Sequence, residues 1–325
     1  MLTATKDRVY PAHRVVVART PRATASDQTE ALPRAVIVLT VLTAILAAIA
    51  ATAGLFWPGG AAPDTVASVR GETVDLYGVG VYRFDSAFKG AANRGADAVT
   101  LVLAIPLLAM TLDRARRGSF RARLLLLGTL GWFLYVGVNL ALGTAYNALF
   151  LVYVALFSAS LFGVAMTFRA IDPAALAARM SPAAPRAVPG AFMFVNGALT
   201  FGIWLQPLVS AARSGKPPAV LEGSTTMVTD TLDLGVIVPI TIISGVLILR
   251  RRPLGTILAF SLLVLEALLA PMIAMQTLFQ LDAGVDLGTG EAVGAIVGFS
   301  VVALAAMWII VLLLRHIADS PDCPA

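Results

Sequence analysis

Hydropathy divides the chain into apolar runs separated by short polar breaks. The runs at 35–57, 97–112, 124–143, 148–168, 190–212, 235–249, 254–280 and 292–314 carry few charges and do not alternate with the period of a half-buried strand. Most are long enough to cross a bilayer, so the pattern predicts eight transmembrane helices and an all-α, polytopic membrane bundle. Residues 1–34 are polar, contain Pro11, Pro21 and Pro33 and show no sustained period, so a disordered tail is expected there. A transmembrane domain over 35–316 and a second tail over 317–325 complete the division. The small residues of AAIAATAG imitate a signal-peptide cleavage site, but the apolar run around them is too long and starts too late in the chain.

The pattern also suggests an internal repeat. The second run reads Asp97, Pro106 and an arginine cluster; the sixth reads Asp233, Pro239 and an arginine cluster, and each follows a long polar loop. Four spans restore the starting side, so the halves would be two parallel four-helix repeats. In such folds, short Pro-interrupted helices at matching positions point to a central site. Within the loop at 58–95, Tyr77, Tyr82 and Phe84 lie among Gly78 and Gly80, which predicts an ordered, partly extended segment leading into the second helix. The connection at 169–189 is expected to include one short interfacial helix.

Composition agrees with the pattern: 58% of residues are hydrophobic and 13% charged, and mean hydropathy is +0.84. Soluble domains carry about a quarter charged residues. The net charge of +5 is a matter of topology, because 18 of the 24 Lys and Arg residues fall in the two tails and in alternate loops. The positive-inside rule then places both termini in the cytoplasm of a bacterial inner membrane, with the arginine clusters facing anionic lipid. No nucleic-acid partner is indicated.

Candidate chemistry is sparse. There is no GxxxxGK[ST] phosphate loop, HExxH or GxSxG. The histidines, His13 and His316, lie in or beside the tails, and Cys323 is the single cysteine, so no metal site, no cofactor and no internal disulfide is expected. The acid pairs Asp230/Asp233 and Asp282/Asp286 are read as solvated outside the membrane, with Asp233 capping the sixth helix. Glu266 is the exception. It stands ~20 Å from both ends of its run, near mid-membrane, where a charge costs from ~3 to more than 10 kcal/mol. Three readings stand for it: a structural acid, a proton- or cation-coupling group, or a catalytic acid or base. Asn139, Asn196 and Thr241 are its candidate partners, and Ala270, Ile273, Thr277 and Gln280 continue its own helical face outward. Tyr82, Arg83 and Asp85 in the 58–95 loop are read as a cap on the helix ends or a lid over an external site.

The segments LYGVGVYRFDS, AYNALFLVYVALFSASLF and DLGVIVPI followed by LRRRPLG resemble a group of uncharacterised bacterial multi-pass membrane proteins. The resemblance implies a fold of this class and no particular activity. The leading functional expectation is a small-solute or proton-linked transporter with a central polar site around Glu266; Asn139, Asn196, Thr241 and Asp233 are the further ligand or proton-coupling candidates. The alternatives are a membrane enzyme acting on a lipid or isoprenoid at the outer face, and a scaffold or sensor using the 58–95 loop.

Overall fold

The computed structural model describes residues 31–319. Most of the expected N-terminal tail, His13 and Cys323 lie outside the described residues. Among the described residues, eight helices are long and apolar enough to cross a membrane: α1 (Arg34–Phe56), α2 (Ala87–Arg116), α3 (Phe120–Gly143), α4 (Phe150–Arg169), α5 (Ala187–Ser214), α6 (Val228–Leu249), α7 (Pro253–Asp282) and α8 (Ala292–Arg315). The protein is therefore an all-α, multi-pass membrane bundle. Helices dominate because each satisfies its own backbone hydrogen bonds where no water is at hand.

Two boundaries differ from expectation. Helix α2 begins ten residues before Asp97, where Ser86 accepts a bond from the Lys89 backbone N–H at 3.2 Å and caps it. Its first turns carry Lys89, Asn93, Arg94 and Asp97, which hide the helix from a hydropathy reading. Helix α6 likewise starts at Val228, so Asp233 does not cap it: the residue has helical dihedrals (φ −69°, ψ −47°) and lies inside the span. Asp230 and Asp233 are 6% and 7% exposed, not solvated as expected.

Helix α7 is the hub, packing on α2, α3, α6 and α8, while α1 packs on α2 and α4 and α5 chiefly on α6. Its crossings bring backbone against backbone. A Cβ added at Gly95 of α2 would lie 2.4 Å from the Gln276 nitrogen, and one at Gly128 of α3 would lie 2.4 Å from the Phe260 carbonyl oxygen. Glycine is what permits these approaches. One apolar cluster joins α1–α4 to Val264, Leu268 and Met272 of α7. A second, toward the arginine-rich ends, joins Phe120, Leu124 and Leu127 to Met193, Ile248, Phe260, Leu263 and the Ala306–Ile309–Leu313 face of α8.

The likeness between the second and sixth runs is visible in the backbone of α2 and α6. Both α2 and α6 contain a five-residue π turn, Thr100–Ala104 and Asp233–Ile237, in which the Ile105 N–H reaches the Thr100 carbonyl and the Val238 N–H the Asp233 carbonyl. Each is followed by a proline, Pro106 or Pro239, at the start of a twelve-residue α segment. Proline lacks a donor and crowds the carbonyl four residues back; a turn one residue wider relieves both. The two segments then end alike. Arg117 and Arg250 have dihedrals of (−79°, 6°) and (−80°, 8°), and the next residues, Gly118 and Arg251, have φ of +94° and +59°. Ser119 N–H bonds to the Arg114 carbonyl and Arg252 N–H to the Leu247 carbonyl, closing the same C-terminal motif. From Asp97 to Phe120 and from Asp230 to Pro253 the positions correspond at a displacement of 133 residues. Asp97 thus corresponds to Asp230, not to Asp233 as the sequence pairing has it.

The 58–95 loop contains an antiparallel hairpin, β1 (Thr65–Ala67) with β2 (Thr73–Asp75), in which Val66 faces Val74. The extended part precedes the aromatic stretch expected to carry it; Tyr82–Arg83–Phe84 forms a turn. On the opposite side, Pro173–Arg179 forms the short helix expected in the 169–189 connection, capped by Asp172. The first residues of the expected C-terminal tail are anchored: Met180 pairs with Ile317, and Asp319 accepts from Ser119 and Arg121.

The crossing of α3 and α7 is testable by adding one methyl. Gly128→Ala is expected to cost about 1–3 kcal/mol and lower the melting temperature in detergent. Gly202→Ala, with nothing within 4 Å, should leave it unchanged. Equal melting temperatures for Gly128→Ala and the parent would show that the helices do not touch there.

Candidate functional site

Four helices bring polar side chains together in the span interior. Asn196 of α5 donates through Nδ2 to Glu266 Oε1 of α7 at 2.7 Å, with both residues about 95% buried (4% and 5% exposed). Asp233, in the π turn of α6, accepts from the Tyr135 hydroxyl of α3 at 3.4 Å. Asp233 and Glu266 are near enough to act on each other, and the Tyr135 hydroxyl is within electrostatic reach of Asp230, Asp233 and Glu266. Toward the loop side, Asn139 donates to the Tyr135 carbonyl at 3.0 Å and accepts from the Thr229 hydroxyl at 2.7 Å, fastening α3 to α6. One carboxylate oxygen of Asp230 is buried without a partner.

The wide turn of α6 sets this geometry. It opens the helix where Asp230 and Asp233, three residues apart, share a face toward α3 and α7. The arrangement holds three carboxyls and one phenol, with amide and hydroxyl groups around them. Among the described residues, no lysine or arginine acts on Asp233 or Glu266. Such a set can bind and release a proton or hold a cation. Among the described residues there is no group of three or more His, Cys, Asp or Glu side chains arranged to hold a metal ion.

Of the five interior candidates, Glu266, Asn196, Asp233 and Asn139 fall in this cluster. Thr241 does not bond to Glu266: its hydroxyl donates back to the Ile237 carbonyl at 2.7 Å, and its methyl packs on Gly197. On the outward face of α7 the polar groups are likewise engaged elsewhere. Thr277 bonds to its own helix, and Gln280 donates to the Phe88 carbonyl of α2 at 3.2 Å. Sequence reasoning did not single out Tyr135 as a partner of the acids, nor Asp230 as buried. The available signal was the equal spacing of Asp97 and Asp230 ahead of Pro106 and Pro239.

The loop candidates form a separate network. Tyr82, 1% exposed, donates to Asp97 Oδ2 at 2.7 Å. Burial, with Asp97 beside it, drives the Tyr82 hydroxyl well above its ordinary range. Arg94 bonds to the Tyr77 hydroxyl and the Leu55 carbonyl and lies over the Phe279 ring. Asp85 points inward, accepting from the Ala145 N–H at 2.8 Å; Arg83 turns outward over Phe84. The loop is also tied to the segment before α6: Ser86 bonds to Glu222, Lys89 to Ser224, and Arg70 to the Glu222 and Ser224 carbonyls. Tyr82 and Asp85 thus tie the loop to α2 and to the turn between α3 and α4.

Two cavities, of about 660 Å³ and 500 Å³, lie along single helices: one along Gly202–Ser214 of α5, the other along Ala48–Pro58 at the end of α1. Neither is lined by Glu266. Compared with family models, with curated proteins and with solved structures, the chain matches none. The fold thus defines the class, a multi-pass α-helical membrane protein, and the reading of its function rests on geometry.

The cap has a predictable pH response. Burial pushes the Asp85 carboxyl up to about 6 from an ordinary 3.8, with the Ala145 N–H and Lys89 opposing. The folded state therefore binds this proton more tightly than the unfolded chain. Stability should be greatest below about pH 4, fall by up to ~3 kcal/mol as pH rises to about 6, and level off above. Melting temperatures across pH 4–7 should show this decline in the parent and a flatter profile in Asp85→Asn. Parallel profiles would show that Asp85 is not the group.

Proposed function

We propose that the protein is a proton-linked transporter of a small solute, with Glu266, Asn196, Asp233 and Tyr135 forming its central polar site. The observation that carries this reading is the Glu266 carboxyl. It is held by Asn196 across α5 and α7 in the middle of a span, beside a second acid and without a basic counter-charge among the groups acting on it. An acid so placed is stable when it carries a proton, and its interconversion with a charged form needs a partner, water or a coupled cation. Placement at paired discontinuous helices supports the reading, because such helices build the binding sites of repeat-based carriers. In this reading the arginine-rich ends face the cytoplasm of a bacterial inner membrane, both termini are inside, and Arg114, Arg116 and Arg250–Arg252 meet anionic headgroups.

The enzyme alternative relies on acids at the loop face, and Asp85 and Asp233, its best groups, are 3% and 7% exposed. The scaffold alternative keeps one supporting feature, the exposed apolar side chains of Val69, Val79 and Phe84 on the loop.

Infrared difference spectroscopy tests the proposal. A carboxyl band that titrates reversibly with bulk pH in the purified protein and vanishes in Glu266→Gln is expected. A Glu266 band that never changes, with the variant merely less stable, would make the acid structural and end the transport reading.

A further inference from the structure

We propose that protons reach Glu266 from the side bearing the 58–95 loop, by way of Asp230, Tyr135 and Asp233, and that the arginine side is closed to them. The inference rests on the proton-linked reading of Glu266 and adds the side and the groups of access.

The polar groups around Glu266 are one-sided. Asp230 lies two residues from the loop-side start of α6, Asp233 one turn deeper, and Glu266 deeper still on α7. Tyr135 faces all three acids, with its hydroxyl on Asp233 Oδ2. Asp230 is 6% exposed yet leaves a carboxylate oxygen unpartnered, so a proton acceptor stands free at the loop end of the line. Thr229 and Asn139 hold α3 against α6 beside it and contribute no charge. Toward the arginine side, Glu266 is followed on α7 by Leu263, Leu262, Phe260 and Ile257, all 4% exposed or less and clustered with Met193 and Ile248. These side chains are apolar, and the nearest ionisable group shown against the cluster is Arg179, stacked on Phe120 at its arginine-side edge.

The other half of the repeat supports the assignment by contrast. At the displacement of 133 residues, Thr100 stands where the second half has Asp233, and Phe133 where it has Glu266. Asp97, the counterpart of Asp230, is engaged by Tyr82 and lies beside Arg94. The same backbone device therefore carries one acid, held by Tyr82, on α2 and two acids, beside Glu266 of α7, on α6. Each transfer balances: a carboxyl accepts one proton and releases one, and the Tyr135 hydroxyl gives its own proton to one acid as it takes another from the next.

The test uses the whole protein in vesicles of known orientation, with the pH set independently on each side. Dicyclohexylcarbodiimide, which enters the bilayer and reacts with protonated carboxyls, is added briefly, and modification of Glu266 is read by mass spectrometry. Acidifying the loop side alone should raise the labelling several-fold; acidifying the arginine side alone should not. Asp230→Asn and Tyr135→Phe should slow the loop-side response by about a hundredfold, the low end of what a placed acid–base group contributes. Asp230→Glu, which keeps the carboxyl, should retain it. Labelling that follows the arginine side overturns the route but leaves the proton-linked reading standing, as does a loop-side response indifferent to Asp230→Asn and Tyr135→Phe. Labelling that ignores pH on both sides overturns both.

Discussion

A polar group in hydrocarbon has no water to turn to, and nearly every feature of this chain follows from that constraint. The spans are helical because a helix satisfies its own backbone. The turns before Pro106 and Pro239 widen because a missing donor must be accommodated. The loop at 58–95 is ordered because the polar first turns of α2 need partners, and Tyr77, Tyr82, Thr144 and Ser224 supply them. Glu266 obeys the same rule through Asn196, and the bond spans two helices that make little other contact.

The repeat shows one backbone solution put to two uses. In the first half the π turn is embedded among α1, α3 and α4, its acid is tied to Tyr82, and the surrounding core is apolar. In the second half the same turn packs on α5 and carries Asp233, which meets Tyr135 of α3; Asp230 stands one turn before it and a third acid, Glu266, on α7. The asymmetry arises from side chains, since the dihedrals and the closing hydrogen bonds of the two segments agree.

Central placement of α7 makes this possible. Its contacts with α2 and α3 run through glycine, so the helices approach until backbones touch and side chains elsewhere on α7 are pressed into the cluster. Positioning of Glu266 thus depends on residues such as Gly95 and Gly128, which carry no chemistry. The cap on the loop side acts on the same groups from the end: the segment clamped through Glu222 and Ser224 leads directly into the helix carrying Asp230 and Asp233.

The sequence by itself determined the class, the number of spans and the singular position of Glu266, because hydropathy and the cost of a charge in lipid act locally along the chain. It also marked Asn196 and Asp233 as groups to watch, and it noticed the Pro-and-arginine echo between the halves. It missed the true start of α2 and α6, where polar residues inside a helix look like loop until partners from elsewhere satisfy them. It paired Asp97 with Asp233 because proximity to proline is a coarse ruler, whereas the π turns fix the register and pair it with Asp230. Thr241 was counted as a partner of Glu266 from its helical stripe, yet a hydroxyl can be satisfied by its own helix. Which polar groups meet across helices is decided by rotation, crossing and depth, quantities set by packing against distant segments, and only the tertiary structure contains them.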